Sequence, residues 1–486
     1  MYISTIHLNL CQKDSKMKIE QIYTGCLAQG AYYIESNGEV AIIDPLREVQ
    51  SYIDRAAADQ AKIKYIFETH FHADFVSGHV TLADKTGADI VYGPNAETSF
   101  DSIIAKDGQV FTIGDITITA LHTPGHTMES TTYLLKDKNG KDHAIFSGDT
   151  LFLGDVGRPD LAQKIGTITK EDLAGYLYDS LRNKIMPLAD DVIVYPAHGA
   201  GSACGKNMMK ETVDTLGNQK QVNYALRADM TKEEFINEVT EGLLPPPAYF
   251  PLNVKLNKEG YDSIENVIAK GSHALSPEAF EVAANETGAI MLDVRHQKDF
   301  ISGHIPRSIF IGLNGSFAPW VGDLIKDVNQ EILLIVTEDQ LEEAITRLSR
   351  VGFDNVIGYL DGGVEAWQSA DKEIDTLKSV SAKEFKSVIE KDNSIKIVDV
   401  RKASEYESEH VVSALNFPLS KINDHLGELP TQGQFFIHCA GGYRSVIAAS
   451  ILKARGVHNI IDVAGGMKDI RSEKISCTTN ACSSKV

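Results

Sequence analysis

Two sets of residues in this chain have the types and spacing that chemistry needs. The first is a series of imidazoles and carboxylates. His70, His72 and Asp74 lie in the run Thr69-His-Phe-His-Ala-Asp74, His126 ends Thr123-Pro-Gly-His126, Asp149 ends Ser147-Gly-Asp149, and His198 ends Tyr195-Pro-Ala-His198. Each group comes after an apolar β-like run, and loops after the strands of a rigid sheet are where ligands gather. A lone histidine there is more often a satisfied core or surface residue. Clustered His and Asp are what a hard or borderline metal ion requires.

The second set is His438-Cys439-Ala-Gly441-Gly442-Tyr-Arg444-Ser445, between the β-like run Phe435-Phe-Ile-His438 and a helical run from Ser445 onward. A Cys at a strand end, before a glycine-rich loop that opens a helix, meets backbone N–H groups and a helix N-terminus, both of which favour a thiolate or persulfide anion. Arg444 adds a positive charge suited to sulfite or to an outer sulfur. The bland reading is a buried, inert cysteine.

These residues need elements to hold them. Residues 17 to about 250 alternate β-like runs with helical stretches, and Gly242-Leu-Leu-Pro-Pro-Pro247 then breaks the periodicity and reads as a boundary. Beyond it lies an internal repeat. Asp293-Val-Arg295 recurs as Asp399-Val-Arg401, His304-Ile305 as His410-Val411, and Gly362-Gly363 as Gly465-Gly466. Each copy reads as a small α/β unit with a mainly parallel sheet. The first copy has Ile335-Val-Thr-Glu-Asp-Gln340 where the second has its cysteine loop, so it has no thiol, and Glu338 and Asp339 would repel anions. The Asp-Val-Arg pairs are expected to be structural ion pairs.

The chain has 486 residues, 43% hydrophobic and 23% charged, enough for about three globular domains. A formal charge of -20 argues against a nucleic-acid partner, since nothing would neutralise phosphates. No apolar run approaches the roughly 18 residues that span a bilayer, and the first residues lack the marks of a signal peptide. Six scattered cysteines (11, 26, 204, 439, 477 and 482) speak against a disulfide framework and for a reducing compartment. A cytoplasmic protein is expected. Cys477 and Cys482 match no strong metal spacing, Cys26 is expected to pack within a β run, and His79 is expected on a helix surface rather than as a ligand, with the same reading for His122 and His143.

The ordered pattern HxHxD, PGH, GD, PAH resembles the metallo-β-lactamase superfamily over residues 17 to about 250. The Cys439 loop with its Asp-Val-Arg and double glycine resembles a rhodanese domain. Together they resemble persulfide dioxygenase–rhodanese fusions. The resemblance implies an α/β multidomain chain: an αββα sandwich followed by two rhodanese-like domains with parallel sheets. Expected boundaries are an extension at 1–16, the oxygenase domain at 17–250, a linker at 251–269, an inactive rhodanese-like domain at 270–375, the catalytic one at 376–473, and a disordered tail at 474–486.

Two-zinc hydrolases of the superfamily resembling glyoxalase II carry a further His after the Asp. Here that position is Phe75, which cannot ligate, so one metal is favoured. The resemblance implies Fe(II) on His70, His126 and Asp149, a facial set with open positions for O₂ and substrate. It leaves His72, Asp74 and His198 to orient ligands or water, or as remnants of a second site. Arg158 is implied near the substrate's carboxylates, with an ion pair to Asp160 equally open, and Cys204 comes soon enough after His198 to face the metal pocket. Cys439 would carry sulfane sulfur in the loop of Gly441, Gly442 and Arg444. The implied partners are a small thiol persulfide, O₂, sulfite and thiosulfate. Two alternatives stand beside this: a mononuclear zinc thioester or lactone hydrolase with a rhodanese arm, and a persulfide-binding scaffold without turnover. The thiol, the direction of sulfur transfer and the oligomeric state, a homo-oligomer included, are not written in the sequence.

Overall fold

The computed structural model describes residues 4–5, 17–163, 167–243, 245–392, 394–430 and 433–478. They form two compact units, Met1–Ile264 with Ser349–Gly352, and Glu265–Leu348 with Phe353–Val486. The expected tail from 479 on, Cys482 and Cys11 lie outside the described residues.

In the first unit, strands run hydrophobic on both sides because both sides are covered. Along Gln29–Ser36, Tyr32 and Ile34 enter one core while Ala31 and Tyr33 enter another. Along Thr131–Lys136, Tyr133 and Leu135 join Tyr32 and Ile34 while Leu134 points the other way. The shared core lies between a seven-stranded and a six-stranded sheet. Its aromatic rings interlock, Phe67 on Tyr133 at 4.8 Å and Phe146 stacked on Tyr195 at 5.2 Å. Burial of each such ring stabilises by roughly 2–3 kcal/mol. Helices Gln50–Ala58 and His79–Thr86 cover one outer face, and Lys170–Ser180 with Lys232–Thr240 the other. This is an αββα sandwich. Ser4–Thr5, within the expected extension, pairs with Ile22 and Tyr23.

The second unit contains two five-stranded sheets of one design. The first runs Ala274–Leu275, Val356–Leu360, Ile332–Ile335, Ile290–Asp293, Ile309–Phe310. The second runs Ser379–Val380, Ile460–Val463, Phe435–His438, Lys396–Asp399, Ala414–Asn416. Every neighbouring pair in both is parallel. The repeated Asp-Val-Arg closes the corresponding strand in each copy, and each Arg grips its Asp at 2.6 Å. Burial pushes the Asp293 carboxyl up, and the guanidinium of Arg295 opposes it. The expected linker holds helices Phe250–Glu259 and Ile264–Gly271. The tail is ordered further than expected: Ile475 is buried, and Cys477–Thr478 pairs with His410–Val411. Polar composition hid this pairing, because a short strand needs only one partner edge and one apolar anchor.

Candidate metal centre and sulfur-carrying loop

His70, His126 and Asp149 come together at strand ends of the two sheets, their ligand atoms all within 4.8 Å of one another. Each imidazole is oriented from behind. Thr69 Oγ1 donates to Asp44 at 2.8 Å, so it accepts from His70 Nδ1 at 3.0 Å. His126 Nδ1 donates to the Arg158 carbonyl at 2.8 Å. In the neutral imidazole such a bond leaves Nε2 with the lone pair, and both Nε2 atoms face Asp149, at 3.9 and 3.4 Å from its Oδ2. Burial, then the neighbouring imidazoles, holds His70 well below its ordinary pKa, so it stays a neutral donor. Among the described residues, both oxygens of Asp149 are buried with no N–H or O–H donor, only the weakly donating Cys204 thiol standing nearby. A buried carboxylate with no donor is costly, and a cation among these three atoms removes that cost. The residues fit a metal ion.

Gly157 permits the arrangement. A Cβ there would lie 2.1 Å from the Asp149 carbonyl and 3.0 Å from His126 Nδ1, and its N–H donates to that carbonyl at 3.0 Å. Arg158, next in line, pairs in a fork with Asp160 at 2.6 and 2.7 Å.

His72, Asp74 and His198 make a second cluster within 4.8 Å, and Asp149, His198 and Cys204 a third. His198 Nε2 is 3.4 Å from Asp74 and 3.7 Å from Asp149. Burial works against its cation, but those carboxylates outweigh it and lift the pKa to about 10. Phe75 is fully buried with its ring 4.3 Å from that of His72. An apolar wall stands where a further donor would be. Cys204 is buried, and burial with the nearby Asp74 and Asp149 raises its thiol well above the ordinary range. That makes it a poor nucleophile as it stands.

Sequence reasoning passed over the two carboxylates behind His72. Its Nε2 sits 3.1 Å from Asp44 and 3.4 Å from Glu68, and burial is outweighed by these carboxylates, bringing its pKa to about 10. His79, expected on a helix surface, is fully buried with Nδ1 3.4 Å from Glu68. It opens its helix, so the helical period said nothing about its burial. The signal that was available is Glu68 itself, a carboxylate at the end of an apolar strand. His122 is half-buried and bonds the Met128 carbonyl at 2.9 Å, and His143 is half-buried, its imidazole held below its ordinary pKa chiefly by burial. Cys26 lies in the turn between two strands, partly exposed, rather than within a strand.

In the second unit Cys439 is buried at the end of Phe435–His438. Gly442 N–H donates to its Sγ at 3.1 Å, and the eleven-residue helix Arg444–Ala454 begins just beyond. Gly442 has φ +88°, a left-handed turn that aims the amide at sulfur. Gly441 is exposed at the mouth of the loop. Arg444 does not stand free: Glu405 holds it in a fork at 2.7 and 2.8 Å and is itself pulled below the usual carboxylate range by that contact. In the first repeat, Asp293 pairs with Ile335, and in the second Asp399 pairs with His438 in the same register. Val336 therefore occupies the place of Cys439, followed by a short 3₁₀ turn, Glu338–Gln340.

Among the described residues, no helix is long and apolar enough to cross a membrane. Comparison with known proteins agrees with the fold. The model of the metallo-β-lactamase superfamily matches residues 24–198, and that of the rhodanese-like domain matches twice, at 276–370 and 381–473. A cytoplasmic hydroxyacylglutathione hydrolase of Arabidopsis thaliana is 33% identical over 187 residues, 37% of this chain and 67% of its own length. The crystal structure of a metallo-β-lactamase from Staphylococcus aureus subsp. aureus COL overlays with TM-score 0.62 and 30% identity, covering 72% of this chain and 99% of that one. That of ETHE1 from Myxococcus xanthus gives 0.43 and 27%, covering 50% and 98%. The chain belongs to the metallo-β-lactamase superfamily and carries, after that domain, two rhodanese-like domains.

Proposed function

We propose that this chain oxidises a low-molecular-weight thiol persulfide and passes sulfane sulfur through Cys439. The observation that carries the reading is the cluster of His70, His126 and Asp149 with Phe75 closing off the adjoining position. A single ferrous ion held by two imidazoles and one carboxylate would supply open positions and the redox chemistry that lets O₂ react with a sulfur substrate. The protein's own part is to orient both imidazoles from their Nδ1 side so that each Nε2 faces Asp149, and to exclude water with buried apolar walls. Overall, RSSH, O₂ and H₂O give RSH, SO₃²⁻ and two protons.

At the second site the Cys439 thiolate attacks the outer sulfur of another persulfide. The new S–S bond forms as RS⁻ leaves and takes a proton. Sulfite then attacks the outer sulfur of Cys439–SSH, giving thiosulfate and restoring the thiol. Gly442 N–H and the helix N-terminus stabilise the sulfur anion throughout. Having both reactions on one chain raises the effective concentration of sulfite at the transfer loop. The Arg158 carbonyl orients His126, and Cys204 lines the metal pocket as a neutral thiol.

The test is O₂ consumption by iron-loaded protein on adding a thiol persulfide, with sulfite and thiosulfate quantified. Uptake with sulfur oxyanions formed supports the reading. No uptake with iron confirmed in place rejects it. A second reading, a zinc thioesterase, is favoured by the 33% identity to the plant hydroxyacylglutathione hydrolase and by the second cluster His72, Asp74, His198. Hydrolysis of a hydroxyacylglutathione by zinc-loaded protein, with no O₂ uptake by the iron form, would favour it.

A further inference from the structure

We propose that the thiol-free first repeat positions the sulfur-carrying loop of the second through Tyr443, an inference that rests on the sulfur-transfer reading above. Tyr443 comes directly after Gly442, whose N–H reaches the Cys439 sulfur at 3.1 Å, and it caps the helix Arg444–Ala454. Its side chain leaves its own repeat. The hydroxyl donates to the Gly312 carbonyl at 2.6 Å, and the ring meets Phe310 edge-on at 5.8 Å. The ring also lies against the Cα of Gly315: a methyl group there would come within 2.3 Å of the ring's Cζ. Only glycine leaves room for it.

The rest of the contact is built the same way. Phe310 N–H donates to Ser450 Oγ at 2.9 Å, on the helix that Tyr443 opens, and Lys453 pairs with Asp375 at 3.0 Å. From the other side the loop is held by its own repeat. Met467 N–H donates to the Cys439 carbonyl at 2.8 Å, and a Cβ on Gly466 would lie 2.3 Å from that oxygen. The Gly442 amide is thus fixed between two supports, and the first repeat supplies one of them. Gln340, at the place of Tyr443 in the first repeat, accepts a bond from Thr337 at 3.2 Å, within its own turn. Burial raises the Tyr443 phenol, so it remains a donor across working pH.

An unaimed amide costs the thiolate its nearest donor, so loosening Tyr443 should slow chemistry at Cys439 specifically. The experiment uses the full chain and measures, at fixed pH, the bimolecular rate constant for iodoacetamide alkylation of Cys439, followed in the Cys439 peptide by mass spectrometry. Cys26 and Cys204 are followed in the same digests, and thermal transitions are recorded. Tyr443→Phe keeps the ring and should slow Cys439 by about threefold. Gly315→Ala, which displaces the ring, and Tyr443→Ala should slow it by about tenfold, estimates set by the loss of one hydrogen bond to a charged group. Sulfur transfer should fall in the same order. A rate at or above that of the unmodified protein in both Tyr443→Phe and Gly315→Ala overturns the inference. So does an equal change at Cys26 and Cys204, which would mean general loosening. If the unmodified protein moves no sulfur from persulfide to sulfite, the sulfur-transfer reading falls, while the alkylation contrast still decides Tyr443.

Discussion

The two rhodanese-like repeats share a strand order and a register, and they part company at the end of the central strand of each sheet. One copy continues into Cys439, two glycines and a helix N-terminus; the other continues into Val336 and an acidic 3₁₀ turn. The sheet is therefore the same whichever loop follows it, and the two copies differ in a short loop on a shared frame. The frame also explains why both copies keep their Asp–Arg grip: it closes a strand end, whatever the loop does.

The largest expected effect breaks the comparison outright. Cys439→Ser should remove thiosulfate formation and leave O₂ uptake intact; thiosulfate at the unmodified rate would remove Cys439 from its role. Val336→Cys should not create a second transfer site, because Glu338 and Asp339 stand in its loop where glycine amides would be needed. Persulfide found on that cysteine by mass spectrometry would refute the loop argument.

Next in size, Asp149→Ala separates supply from transfer. Bound metal and O₂ uptake should be lost, measured by elemental analysis and an oxygen electrode, while transfer from added persulfide to added sulfite continues. Full metal content in that variant would remove Asp149 from the ligand set.

A smaller effect sharpens the contrast between the Glu405–Arg444 fork and its counterpart. In the first repeat Asp299 stands in the place of the glutamate and is exposed, and Leu341 stands in the place of the arginine. Glu405→Gln should slow transfer by about threefold, since the pair is partly solvent-screened and worth about 1 kcal/mol at most. Asp299→Asn should change nothing measurable.

The smallest effect concerns stability. Asp462, which burial pushes up to about 6, sits on the strand beside Ile437, while the matching place beside Leu334 is Tyr359. A raised carboxyl binds its proton in the native state between about pH 4 and 6, where the unfolded chain has released it. Its stabilisation is full below about pH 4 and is lost as pH rises through 6, by at most about 3 kcal/mol. Asp462→Asn should flatten that part of the melting-temperature profile. An unchanged slope between pH 4 and 7 would show that Asp462 does not titrate there.

How much of this was legible in the sequence depends on how each residue announces itself. His70, His126 and Asp149 come after apolar runs in a fixed order, and a polar residue at a strand end is visible in one dimension. The repeat was visible for the same reason. Asp44 and Glu68 were not, because a single carboxylate at a strand end carries no spacing, and its meaning comes from the imidazole folded against it. His79 was misplaced because helical periodicity assigns faces only after the first turn is set. The partners of Arg444 and Tyr443 lie 39 and 131 residues away, beyond any local pattern.

Gly315 has a consequence for how such a duplicated chain can change over time. A copy without a thiol has no sulfur chemistry to protect at Val336 or in its acidic turn, so substitutions there carry little cost. Its sibling's tyrosine, however, leans on a backbone that admits no side chain. A substitution at Gly315 in the thiol-free copy would thus be felt in the other copy, at a tyrosine one residue from the amide that reaches Cys439.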